Sequence, residues 1–184
     1  MHQPSSIDVN GFFSAASFIA SPNFDDRPPR CRIQLLVIHN ISLPPGEFGG
    51  DGIIELFTNR LDPEVHPYYQ SITHLRVSAH FLIRRGGQII QFVSCEKRAW
   101  HAGVSNWCGQ ERCNDFSIGV ELEGCDSVPF TDCQYESLVT LTKTLHATYP
   151  ISDTKGHSDI APGRKTDPGP CFDWHRYRAA LAAL

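Results

Sequence analysis

Residues 32–39, RIQLLVIH, restrict the possible folds of this 184-residue chain more than any other stretch. An unbroken apolar run rich in branched side chains suits a central strand buried on both faces, and such a strand needs a layer above it and another below. The run ends on His39, and a Pro/Gly loop, NISLPPGEFGGD, follows at once. FSIGVELEG, residues 116–124, alternates as a second strand. Period-two geometry puts Phe116, Ile118, Val120 and Leu122 on one face and Glu121 and Glu123 on the other. AHFLIRR, a GG turn and QIIQFV read as a β-hairpin.

Helical patterns interleave with these strands. GIIELFTNR suits one or two turns. A longer helix is predicted over about 132–149, where Thr131 and Gln134 resemble a capping box. Tyr135, Leu138, Leu141, Thr142 and Leu145 form its apolar stripe, and Pro150 ends it. A last helix over about 173–183 carries Trp174, Tyr177 and Leu181 on one face. The expected fold class is α/β, a mixed sheet flanked by helices. One domain is expected over 1–184, with an N-terminal arm at 1–30 and a core over about 31–178.

A net charge of −4 without a Lys/Arg cluster argues against nucleic acid or an anionic membrane as partner. No apolar run reaches membrane-spanning length. GFFSAASFIA resembles a signal-peptide core but lacks a positive n-region, since only His2 precedes it. It reads as a docking arm, and a cytoplasmic location is expected. Seven cysteines cannot all pair, which in such a chain suggests a reducing compartment and mostly free thiols. CGQERC lacks two further nearby ligands for a zinc knuckle.

The chemistry concentrates in GHSDIAPGRKTDPGP, residues 156–170. Its prolines and glycines favour neither helix nor strand, and such a loop needs something to tie it down. A metal would do so. His157 and Asp167 are zinc-ligand types on a loop able to close around one ion, and His39 is the candidate third ligand. A three-residue set leaves one position open for water, as catalytic zinc sites do. Glu121 either faces solvent or lines a cleft; in a cleft it can act as general base. Lys165 can meet a developing oxyanion, or be a solvated surface charge. Singly, each residue also has an ordinary role: His39 as a satisfied hydrogen-bonder, Asp167 before Pro168 as a turn initiator.

VIHNISLPPGEFGG, HLRVSAHFLIRRGG, RAWHAGVS, ERCNDFSIGVELEG and GHSDIAPGRKTDPGP together resemble the AmpD family, cytoplasmic 1,6-anhydro-N-acetylmuramyl-L-alanine amidases of Gram-negative bacteria. More distantly, the pattern is similar to phage amidase lysozymes and peptidoglycan recognition proteins. The resemblance implies a zinc amidase fold with one Zn²⁺ per chain on His39, His157 and Asp167. It implies Glu121, not Glu123, as general base and Lys165 as transition-state stabiliser. It further implies an anhydro-muropeptide substrate contacted by Asn40, Arg76, Trp100 and Arg112, a monomer, and an influence on β-lactamase induction. Arginines suit the carboxylates of a stem peptide, and an indole suits a sugar ring. Trp100 as core, and Arg76 and Arg112 as surface ion pairs, are the ordinary alternatives. An exported amidase acting on intact wall and a non-catalytic muropeptide-binding module are the rival functions.

Overall fold

The computed structural model describes residues 5–183. Along the chain come β1 (Ser17–Phe18), β2 (Phe24–Asp26), β3 (Leu35–Ile41), α1 (Gly52–Phe57), α2 (Pro67–Ile72), β4 (Phe81–Ile83), β5 (Ile89–Gln91) and β6 (Lys97–Ala99). Next are β7 (Asn106–Trp107), β8 (Gln110–Glu111), a 3₁₀ turn at Cys113–Asp115, β9 (Ser117–Glu123), α3 (Asp132–Thr148), β10 (Asp153–Gly156), α4 (His157–Ile160) and α5 (Trp174–Ala182).

Six strands form one sheet in the order β1-β5-β4-β9-β3-β10. The β4–β5 hairpin is antiparallel, and every other neighbouring pair is parallel. The sheet is therefore mixed, as the interleaved pattern predicts. β3 lies between β9 and β10, and Leu35, Leu36, Val37 and Ile38 are wholly buried. That is why its sequence runs apolar without alternation.

Layers cover both faces. Leu36, Ile38, Phe81, Ile118, Val120 and Leu122 pack in one cluster with Leu138 and Leu145 of α3 and Tyr177 of α5. In a second cluster Leu82 and Ile90 meet Ile53, Leu56 and Phe57 of α1 and Tyr69 of α2. Leu35 and Val37 pack with Ala102, Phe116 and Ile160 in a third. Phe116 thus departs from the face of Ile118, Val120 and Leu122, because it ends the 3₁₀ turn and precedes the strand proper.

The capping box forms as read: Thr131 Oγ1 accepts from Gln134 N at 3.2 Å, and Gln134 Oε1 accepts from Thr131 N at 3.1 Å. Gln134 also donates to the carbonyls of Ile83 and Glu123, which locks α3 onto the sheet. The stretch 156–170 is less irregular than expected. Gly156 closes β10 and His157–Ile160 make one helical turn, capped by Asp159 Oδ2 accepting from Gly156 N. After Gly156, Gly and Pro recur in that segment only from Pro162 onward. The helix α2 lies where the sequence suggests no element, beginning on Pro67 and capped by His66.

Residues 5–31 lie against the core. β1 extends the sheet edge beside β5, and Phe13 N donates to Gln91 Oε1 at 2.8 Å. Among the described residues no helix is long and apolar enough to cross a membrane.

Candidate active site

The site is built from the register of two strands and the closure of one loop. Parallel pairing sets His39 of β3 opposite Glu121 of β9. Paired residues of neighbouring strands project to the same face, so an imidazole and a carboxyl stand side by side at the same end of the sheet. β10 runs parallel on the other side of β3 and delivers His157 directly after its last residue.

The segment beyond α4 then returns Asp167. Its backbone carbonyl accepts from Ser158 N at 2.9 Å. Asn40 Nδ2 donates to the Pro168 carbonyl at 3.0 Å and to Asp126 Oδ1 at 2.7 Å. A Cβ on Gly169, at φ +80°, would come within 2.4 Å of that Asp126 oxygen, so only glycine lets the loop close here.

His39 Nδ1, His157 Nδ1 and Asp167 Oδ2 meet in a triangle with sides of 2.9 to 3.0 Å. Both histidines are buried and Asp167 is nearly so. His157 Nε2 lies 3.0 Å from the Ala102 carbonyl, which can only accept, so Nε2 carries a proton and Nδ1 is the ring atom turned to His39 and Asp167. A neutral imidazole nitrogen and a carboxylate oxygen facing inward are a metal-ligand set for zinc. Burial pushes Asp167 up, but the hydrogen bonds to His157 and His39 outweigh it and hold the carboxyl well below its ordinary range. Burial also brings His39 down to about 4, against the pull of Asp167, so its imidazole is neutral near pH 7.

Glu121 is 9% exposed, and its Oε2 has no hydrogen-bond partner. Burial, reinforced by the Asp167 charge, pushes its carboxyl well above the ordinary range, while the Lys165 charge draws it back. An unpartnered buried oxygen is a site for a proton to arrive. Lys165 itself is exposed on the loop, and its charge also lowers His39.

The remaining sequence candidates separate. Arg112 is exposed, at φ +61°, and pairs with Asp115 at 3.4 Å. It lines a cleft of about 580 Å³ beside α4, with Ile160, Ala161 and Arg164 across from it. Arg76 is exposed and donates to the carbonyls of Thr73 and Leu75; it does not line that cleft. Trp100 is half-buried, its Nε1 donating to Asp25 Oδ1 at 3.2 Å. Asn40 spends both amide hydrogens on the loop contacts above.

Three participants escape the sequence reading: Asp126, the Ala102 carbonyl and His101. His101 follows Trp100 directly, yet its ring lies 2.9 Å from His39, 62 residues away. No local spacing signals that contact.

A model of the family described as N-acetylmuramoyl-L-alanine amidase matches residues 29–170. The chain belongs to that family. It is 59% identical over 174 residues to the 1,6-anhydro-N-acetylmuramyl-L-alanine amidase AmpD of Salmonella typhimurium strain SL1344, covering 94% of this chain and 93% of the relative. Among solved structures it is similar to a selenomethionine AmpD derivative, with a TM-score of 0.91, 57% identity and coverage of 94% and 97% of the two chains. It is also similar to the Escherichia coli amidase AmiD in complex with anhydro-N-acetylmuramic acid-L-Ala-D-γ-Glu-L-Lys, with a TM-score of 0.59 and 29% identity. That likeness covers 96% of this chain and 65% of AmiD.

Proposed function

We propose that this chain hydrolyses the amide between 1,6-anhydro-N-acetylmuramic acid and L-alanine in recycled wall fragments. What carries the reading is the convergence of His39, His157 and Asp167 beside the unpartnered Glu121. The near full-length similarity to AmpD amidases supports the substrate.

His39 Nδ1, His157 Nδ1 and Asp167 Oδ2 would hold one Zn²⁺. When bound, the ion supplies Lewis-acid polarisation and lowers the pKa of water. Glu121 Oε2 accepts the proton of the attacking water and returns it to the leaving amine nitrogen. The Lys165 ammonium stands against the negative charge growing on the carbonyl oxygen. Arg112 in the cleft forms the substrate rim with Arg76, Trp100 and Asn40, and guanidinium groups suit stem-peptide carboxylates. Asn40 contributes through the loop it clamps. The reading extends to a cytoplasmic monomer whose control of muropeptide levels bears on β-lactamase induction; seven free cysteines fit a reducing compartment.

The test pairs metal content by mass spectrometry with release of stem peptide from purified anhydro-muropeptide, before and after chelation. One zinc per chain and chelator-sensitive cleavage are expected. Metal-free protein with undiminished cleavage would overturn the metal assignment. Cleavage of intact sacculi in preference to anhydro-muropeptide would overturn the recycling role.

A further inference from the structure

Behind His39 runs a chain of hydrogen bonds whose direction can be worked out from its far end. Ser117 Oγ lies 2.5 Å from the Cys113 carbonyl, which can only accept, so the single hydroxyl proton points there. The same oxygen is 3.1 Å from His101 Nε2 and must therefore accept from it. His101 then carries its proton on Nε2 and presents a lone pair at Nδ1. That lone pair faces His39 Nε2 at 2.9 Å. His39 Nε2 therefore donates to it, and with a cation held between the three inward atoms Nδ1 would present its lone pair beside His157 and Asp167.

The seat of His101 is specific. A Cβ on Gly119 would stand 2.4 Å from His101 Cγ and 2.5 Å from its Nδ1, so the ring occupies the space that a side chain on β9 would fill. The following residue supplies the carbonyl that orients His157. Two consecutive residues, His101 and Ala102, thus supply the acceptors for the outward nitrogens of both histidines.

We infer that His101, seated on Gly119 and polarised by Ser117, is a positioning residue that fixes His39 in the tautomer with Nδ1 free for the metal. The inference rests on the metal reading above, because without a cation Asp167 Oδ2, 2.9 Å from His39 Nδ1, competes for the ring proton. Outer partners of metal-bound histidines are worth about 10–100-fold in metal affinity.

The experiment uses the whole chain with ¹⁵N-labelled imidazoles, at neutral pH, metal-free and zinc-loaded. Nuclear magnetic resonance of the zinc-loaded protein should show His39 protonated on Nε2, with a scalar coupling across the hydrogen bond to His101 Nδ1. Ser117→Ala should weaken that coupling and raise the zinc dissociation constant by about 10-fold. His101→Leu should raise it by as much as about 100-fold, and His101→Asn, whose Oδ1 replaces the Nδ1 acceptor, should recover most of the loss. Zinc-loaded protein without that coupling would overturn the inference, as would Asn and Leu variants equally impaired, since His101 would then only fill space. Native protein that binds no zinc would instead overturn the metal reading, and the inference with it.

Discussion

Glu121 and Glu123 stand two residues apart on β9, on the same face of the strand, 9% and 1% exposed. Glu123 is saturated. Its Oε1 accepts from Gly49 N at 2.7 Å and Arg84 Nη1 at 3.1 Å, and its Oε2 accepts from Arg85 N at 3.0 Å. Glu121 has the Asp167 charge nearby and, among the described residues, no partner at Oε2. One carboxylate is committed to holding the β4–β5 turn and the 43–51 loop against β9. The other is kept out of water with no ion-pair partner among the described residues. Fold stability and reactivity are thus separated along a single strand by one step of its period.

Glu121→Ala offers the largest effect with which to break that contrast. Turnover of anhydro-muropeptide should fall by about 10²–10⁴-fold, the usual contribution of a general base, with zinc retained. Unchanged turnover in steady-state assays removes Glu121 from the mechanism. Glu123→Ala should do the reverse, costing about 3–5 kcal/mol in denaturant unfolding because it leaves the Arg84 charge, itself 14% exposed, without its buried partner. The folded fraction should still bind zinc. A loss below about 1 kcal/mol would make Glu123 no more structural than a surface pair.

Lys165→Ala sharpens the comparison from the charge side. Its exposed ammonium serves no buried pair, so kcat should fall by about 10²–10³-fold, as for loss of an oxyanion donor, while the unfolding midpoint stays put. A shifted midpoint with unchanged kcat reverses the assignment.

The smallest effect is in pH. Folding raises the Glu121 pKa, so the folded metal-free chain takes up a proton that the unfolded chain releases near 4.5. The stability of metal-free protein should therefore decline, relative to Glu121→Gln, as pH rises from about 4.5 toward the raised folded value. The slope approaches about 1.4 kcal/mol per pH unit for one proton. Parallel curves for native and Gln proteins would mean that burial does not perturb this carboxyl.

Local pattern carries much of the architecture. The apolar run of β3, the capping box of α3 and the β4–β5 hairpin each follow from steric and hydrogen-bonding rules acting over fewer than about ten residues. β2, β6, β7 and β8 are two or three residues long and sit in paired ribbons outside the main sheet, too short for periodicity to register. α4 is a single turn, and α2 is six residues long with only Tyr69 and Ile72 packed against the core. Trp100 illustrates the limit for the site. Its residue type suggests a sugar platform, but only the fold reveals that Asp25, 75 residues away, holds its indole nitrogen.

The sequence by itself determined the chemical inventory: a histidine at the end of a buried strand, a reactive loop with His157, Lys165 and Asp167, and an alternating strand carrying Glu121. It also determined the class of fold, because periodicity and turn residues act locally. The tertiary structure alone decided how those groups are used. His39 and His157 are 118 residues apart, yet their Nδ1 atoms are 3.0 Å apart. The choice between Glu121 and Glu123 depends on where Arg84 and two backbone amides arrive, and the tautomer of His39 depends on His101 and Ser117. Register and loop closure set these contacts, and both are properties of the whole sheet rather than of any segment within it.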